Sequence, residues 1–225
     1  MSETFARVEK KYLLDVSQYE KLMELLKDHV VPDKFFESDI QSIYYDTNKF
    51  QLIRRSIEKP LYKEKLRVRS YKPAEGDDMV FVELKKKYDG TVFKRRTEAK
   101  ADEVLKDIRH CEFKDKQVGE EIRYALQFYD ELKPAIYIGC KRSSYAAKDD
   151  ERLRITFDSD IRYRLKHLAL KPDEGDKPVT DKVVMELKVS QAMPLWLTEI
   201  LDEVHAYPRG FSKVGTAFLK ELGGK

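Results

Sequence analysis

Cysteine is scarce in this 225-residue chain, with only Cys111 and Cys140 present. Neither lies in a CxxC pattern, which argues against a thiolate metal site and for a reduced, cytoplasmic protein. The four histidines, His29, His110, His167 and His205, are scattered without an HExxH pairing, so they read as surface or packing residues. The single tryptophan, Trp196 in MPLWL, reads as a core anchor. There is no Walker A loop, no GxGxxG and no kinase signature, which removes the common glycine-rich phosphate cradles. Ser143 and Ser144 have no evident His/Asp partners, and no RNP-like pattern argues for RNA. No apolar run approaches the ~20 residues of a transmembrane helix. The start MSETFARVEKKYLL carries acids and no long apolar segment, unlike a signal peptide. With no low-complexity linker and no internal repeat, residues 1–225 are expected to form a single domain.

What the chain has in excess is charge. Charged residues make up 38% of it, against a usual ~25%. The net charge is only +3, so positive charge matters only if it gathers on one face. Period-two alternation supplies such faces. In VFVELKKKYDGTVFKRR (80–96), Val80, Val82 and Leu84 alternate with Glu83, Lys85 and Lys87. Asp89-Gly90 marks a tight hairpin turn, and Lys94, Arg95 and Arg96 follow on the return strand. Further strands are expected at Phe5–Leu14, Ile40–Thr47, Tyr62–Lys72, Ala135–Ala147, Arg152–Asp158, Ile161–Leu170 and Val183–Val189. Helices are expected near 16–29 (capped by Asp15), 48–57, 100–109, 119–132, 194–205 and 212–222. Strands and helices spread over the whole length predict an α+β fold with one large, mostly antiparallel sheet.

Four strands carry basic residues at i, i+2: Arg67/Arg69, Lys85/Lys87, Arg152/Arg154 and Arg162/Arg164. Acids share such faces at Glu9, Glu83 and Glu186. A solvated outer face explains any one of these strands. Repetition, with arginine dominant, favours recognition of phosphate oxygens. A sheet of about eight strands can close on itself and turn these faces inward. Buried cations are costly without partners, so a closed interior implies a polyanion inside it. The few carboxylates suit a hard divalent cation, Mg²⁺ or Mn²⁺. Residue chemistry alone therefore predicts a β-barrel tunnel for a linear polyphosphate or nucleoside triphosphate.

The ordered segments VEKKYLL, IYYDT, KLRVRSY, VFVELKKK, CKRSSY, LRITFDSDIRYR, VVMELKV and FSKVGTAF resemble the polyphosphate polymerase domain of the vacuolar transporter chaperone (VTC) family. That family belongs to the CYTH-like triphosphate tunnel metalloenzymes. The resemblance covers about Phe5–Leu222 and implies a closed antiparallel barrel with helices outside, in a stand-alone prokaryotic version without SPX or membrane regions. By motif it implies phosphate-binding roles for Lys11, Arg67, Arg69, Lys85, Lys94, Arg142, Arg154, Ser212 and Lys213. Lys11, Arg67, Arg69, Lys85, Arg142 and Arg154 form the expected catalytic set. Glu186 of VMELKV matches the metal-binding glutamate. Glu9 matches half of the superfamily's ExExK signature, and Arg164 and Lys188 are expected as inward neighbours.

The activity implied is metal-dependent transfer of the γ-phosphoryl group of ATP to a growing inorganic polyphosphate chain. Mn²⁺ or Mg²⁺ is the expected cofactor, ATP and polyphosphate the expected partners, and nucleic acid is not expected. A membrane partner is compatible with the resemblance. Two alternatives stay open at this point: an inorganic or nucleoside triphosphatase, and a non-catalytic polyphosphate-binding module.

Overall fold

Alternation of apolar and charged residues builds most of the sheet. In KLRVRS (65–70), Leu66 and Val68 are fully buried on one face, while Lys65, Arg67 and Arg69 occupy the other. The computed structural model describes residues 8–58, 60–89, 91–129, 131–189 and 192–223. Its strands are β1 (Val8–Leu14), β2 (Val30–Asp46), β3 (Tyr62–Ser70), β4 (Met79–Tyr88), β5 (Thr91–Lys100), β6 (Lys133–Ala147), β7 (Arg154–Arg164), β8 (Lys177–Pro178) and β9 (Val183–Val189). Its helices are α1 (Val16–Leu26), α2 (Gln51–Glu58), α3 (Ala101–Asp107), α4 (Lys116–Phe128), α5 (Leu195–Glu203) and α6 (Lys213–Leu222). The fold is thus α+β and rich in antiparallel strands, as the alternation predicts.

The chain divides into two compact units, each assembled from separated segments. The first comprises residues 1–38, 140–161 and 180–212. Its core gathers Tyr12 and Leu14 of β1, Leu22 and Leu26 of α1, Phe157 of β7, Met185 and Leu187 of β9, and Leu197 and Leu201 of α5. Here β9 pairs with both β1 and β7. Helix α1 starts at Asp15, whose backbone N–H donates to Gln18 Oε1 at 3.0 Å. Gln18 in turn donates to the Val204 carbonyl at 2.9 Å, pinning the end of α5 to the start of α1.

The second unit comprises residues 39–139, 162–179 and 213–225. In it β3 lies between β2 and β4, and β4 pairs with β5. Its core joins the inner faces of these strands (Ile43, Leu66, Val82, Leu84) to Val104 of α3 and Ile122 and Leu126 of α4. Each such side chain contributes roughly 1.5–3 kcal/mol by burial. The β4–β5 turn follows the Asp-Gly expectation at Asp89, whose φ of +41° is left-handed; Gly90 lies outside the described residues, as do Phe5, Ala6 and Arg7 of the first expected strand.

Two expectations need correction. Among the described residues the sheet is not closed into a barrel. The strand order is β1-β9-β7-β6-β2-β3-β4-β5, and no ladder joins its end strands, β1 and β5, among the described residues. Alternating charge reports a polar face; it does not report whether the two outermost strands meet, which depends on tilt and stagger. The second correction concerns β7. It runs unbroken from Arg154 to Arg164, where two strands ending at Leu170 were expected. Asp160, at φ +47°, turns the backbone locally without ending the strand.

Candidate functional site

The second unit carries a graded cationic face on β3, β4 and β5. Residues opposite each other across a ladder share a face. Arg67 stands opposite Tyr44 on β2 and Glu83 on β4, and Glu83 stands opposite Arg96 on β5. The next row holds lysine on all three strands: Lys65, Lys85 and Lys94. Glu83 is only 1% exposed, and three cations converge on it. Arg67 donates to Oε2 from Nε at 2.7 Å, Arg96 to Oε1 from Nε at 2.7 Å, and Lys94 Nζ lies 2.7 Å from Oε1.

Aromatic and hydroxyl groups fix the arginines from their other sides. Arg67 Nη1 donates to Tyr44 Oη at 3.0 Å, and Arg69 Nε to Ser42 Oγ at 3.2 Å. Arg96 donates to Tyr71 Oη at 2.6 Å and lies 4.3 Å above the centre of the Phe81 ring. Burial opposes ionisation of Glu83, but Arg67, Arg69 and Lys94 outweigh it and hold the carboxyl well below the usual range. Burial likewise opposes ionisation of Tyr44, yet Arg67, Arg69 and Lys65 pull its phenol down to about 7. One carboxylate thus serves three cations, with further lysines beside them. Like charges opposite one another in a sheet are destabilising, a cost that a bound anion would relieve.

The first unit has its own mixed-charge face. Glu9, Lys188 and Arg154 form one row across β1, β9 and β7, and Lys11, Glu186 and Thr156 form the next. Lys188 Nζ is 3.1 Å from Glu186, and Lys11 Nζ lies 3.8 Å from Glu186 and 3.5 Å from Glu9. Burial would raise the Glu186 pKa, but Lys188, Lys11 and Arg142 bring it down to about 2. Arg142 is clasped by the buried Asp158, from Nε at 2.6 Å and Nη2 at 2.8 Å. Arg154 is 55% exposed at its side chain and 3.6 Å from Asp33.

Among the described residues no three His, Cys, Asp or Glu side chains gather into a metal cage. The Glu186 face nevertheless fits Mg²⁺ or Mn²⁺ of the kind that shares its shell with substrate. Such ions use one or two carboxylates and fill the remaining positions with phosphate oxygens and water. Glu186 and Glu9 are hard donors held around one lysine ammonium.

The structure therefore brings Arg67, Arg69, Lys85 and Lys94 onto one face, and Lys11, Arg154 and Glu186 onto another, with Arg142 fixed by Asp158 in the same unit. Ser212 immediately precedes α6, and Lys213 opens it. Two other expected members of the basic faces have different employment. Arg164 pairs with Asp176 at 2.6 Å and donates to the carbonyls of His167, Ala169 and Lys171, so it clasps the loop after β7. Arg152 precedes β7 and pairs with Asp150 at 2.8 Å. The residues that position the cations, Tyr44, Tyr71, Arg96 and Asp158, were not among the expected site residues. Arg96 and Asp158 did carry a signal, since each falls in period with an expected cation, Lys94 or Arg154.

The sequence profile described as the VTC domain matches residues 6–220. Vacuolar transporter chaperone complex subunit 4 of Trypanosoma brucei brucei is 25% identical over 230 residues, covering 84% of this chain and 29% of that protein. The subunit of the same name from Trypanosoma cruzi is 25% identical over 227 residues, covering 83% and 28%. The chain thus spans less than a third of the length of these relatives. Among solved structures, the PH1819 protein from Pyrococcus horikoshii OT3 aligns with a TM-score of 0.49 and 15% identity, covering 96% of this chain and 99% of that one. No helix among the described residues is long and apolar enough to cross a membrane. With the family profile matching nearly its whole length, the chain belongs to the VTC domain family.

Proposed function

We propose that this protein is a metal-dependent phosphotransferase acting in the cytoplasm, which moves the γ-phosphoryl group of ATP onto the end of an inorganic polyphosphate chain. The observation that carries the reading is the shared carboxylate of Glu83. It fixes Arg67, Lys94 and Arg96 while leaving the face with a large surplus of positive charge. A linear polyphosphate carries charge on every phosphate and matches that density. Membership of the VTC domain family supports the same reading.

Phosphoryl transfer asks a protein mainly for alignment and charge stabilisation, not for a covalent intermediate. Arg67 and Arg69 bind phosphate oxygens with guanidinium groups already oriented by Glu83, Tyr44 and Ser42. Lys85 and Lys94 add cations in the adjacent row, and Lys11, Arg142 and Arg154 do the same in the first unit. Ser212 and Lys213 supply a further hydroxyl and ammonium. Glu186, with Glu9, would hold Mn²⁺ or Mg²⁺, which when bound would supply stabilisation of the charge that develops during transfer. No side chain need act as nucleophile, because the acceptor phosphate is itself an anion. Pre-oriented donors of this kind act on the transition state without reorganisation.

The test is purified protein with ATP and Mn²⁺, resolving ADP, orthophosphate and long chains on a gel. Long polymer with stoichiometric ADP is expected. Orthophosphate without polymer would replace this reading with a triphosphatase. Absence of turnover, with tight tripolyphosphate binding, would make the protein a binding module.

A further inference from the structure

Among the described residues, Thr156 is the one member of the Lys11–Glu186–Thr156 row whose polar group has no hydrogen-bond or ion-pair partner. Its side chain is 8% exposed as a residue, and Oγ1 is buried with no hydrogen-bond partner among the described residues. Burying a hydroxyl unpaired is unfavourable, and a native protein rarely leaves one so without a reason. Position gives the reason. On β7, Thr156 stands directly opposite Glu186 of β9. Two residues away on the same face is Arg154, opposite Lys188, and two residues the other way is Asp158, which holds Arg142. The ammonium groups of Lys11 and Lys188 lie 3.8 Å and 3.1 Å from Glu186. The buried hydroxyl therefore sits in a row flanked by cations, where an entering anion would find both charge and a hydrogen-bond donor.

We infer that Thr156 is a substrate-binding residue whose hydroxyl donates to a phosphate oxygen seated between Lys11, Lys188 and Arg154. This rests on the polyphosphate reading above and adds to it a contact that the family motifs do not supply. A hydroxyl suits the position better than another cation. Glu186 is already ionised beside two lysines, and a neutral donor adds a directed bond without raising the charge of a buried site. Valine has nearly the shape of threonine and lacks the hydroxyl, so Thr156→Val isolates that one group. Thr156→Ser keeps the hydroxyl and gives up a methyl.

The experiment measures tripolyphosphate binding by calorimetry, together with thermal melting of the ligand-free protein. It uses wild type, Thr156→Val and Thr156→Ser, each in EDTA and again with Mn²⁺. In EDTA, Thr156→Val is expected to bind tripolyphosphate about tenfold more weakly, as for loss of a hydrogen bond to a charged group. Thr156→Ser is expected to retain most of the affinity. Ligand-free Thr156→Val is expected to melt at or above the wild-type temperature, because it no longer buries an unpaired hydroxyl. A residue that only packs would give no affinity loss in a variant that melts normally. Unchanged affinity in EDTA overturns the inference, as does a loss seen only with Mn²⁺, which would make Thr156 a metal ligand. Loss of affinity together with a lowered melting temperature also overturns it, since packing then accounts for both. Wild type that fails to bind tripolyphosphate at all would instead strike the polyphosphate reading itself.

Discussion

Replacing Glu83 by glutamine keeps the side-chain shape and removes the charge on which three cations converge. The carboxylate is 1% exposed, while the side chains of Arg67, Arg96 and Lys94 are 20%, 33% and 45% exposed. Removing one partner of a buried ion pair costs about 3–5 kcal/mol, because the remaining charge stays uncompensated. Lys94 and Arg96 reach solvent and are partly screened, so most of the loss falls on Arg67. We therefore expect the lower end, about 3 kcal/mol, which for a chain of this size lowers the melting temperature by roughly 6–12 °C. Denaturant and thermal unfolding at neutral pH measure it.

Acid titration gives the same reasoning a second arm. The Glu83 pKa is lowered in the folded state. Its contribution is therefore complete above the unfolded carboxylate value and is lost as pH falls through the lower native value. The gap between wild type and Glu83→Gln should be full at neutral pH and narrow in strong acid. Added tripolyphosphate should raise the melting temperature of the variant more than that of wild type, because the ligand supplies the missing negative charge. A variant within about 1 kcal/mol of wild type, or a gap that does not depend on pH, would refute the claim that this cluster is organised by its single acid.

Further expectations concern the other members of the two faces. Glu186→Ala should lose metal-dependent turnover by at least about 100-fold while its circular dichroism stays native; retained turnover with Mn²⁺ would remove its metal role. Arg67→Ala should abolish turnover, and unchanged kcat/KM would take Arg67 out of the phosphate site. Asp158→Asn should cost about 3 kcal/mol by freeing a buried, bidentate Arg142, and a melt like that of wild type would contradict it. Tyr44 should ionise near pH 7, giving a near-UV phenolate signal that is absent in Tyr44→Phe. With its pKa lowered on folding, Tyr44 adds stability that is full above the ordinary tyrosine value and lost as pH falls through 7; a titration with every tyrosine in the ordinary range would refute this.

Strands whose two faces differ in polarity were legible before any coordinates. β3 follows strict alternation, and β4 follows it from Met79 to Val82. The first half of β2 was not legible, because VVPDKFFESD mixes proline, acids and exposed phenylalanine without a clear period. The path after Arg164 was misread for a different reason. Arginine in period with Arg162 looks like a continuing strand, yet its guanidinium binds three backbone carbonyls of the next loop. A fork of five donors serves a loop as well as it serves a phosphate. Sequence period cannot tell the two uses apart, because the distinguishing groups are carbonyls present in every residue. Closure of the sheet was out of reach in the same way, since it depends on strands far apart in the chain.

The same limit applies to the two acids at the centre of the two charged faces, one in each unit. Glu83-Leu84-Lys85 and Glu186-Leu187-Lys188 are identical tripeptides in strands of the same alternation. Their surroundings separate them. The oxygens of Glu83 are each taken at about 2.7 Å by arginine or lysine, including two guanidinium groups that cannot lose their charge. A divalent cation there would have to displace bonded arginines from a site already rich in positive charge. Glu186 is met at 3.1 Å and 3.8 Å by lysine ammonium groups on flexible stems, with a second carboxylate on the same face. Lysines can swing aside for a hard cation that brings phosphate oxygens with it. Glu83 therefore suits the fixing of cations, and Glu186 suits the metal-holding role proposed for it, although the two tripeptides read alike.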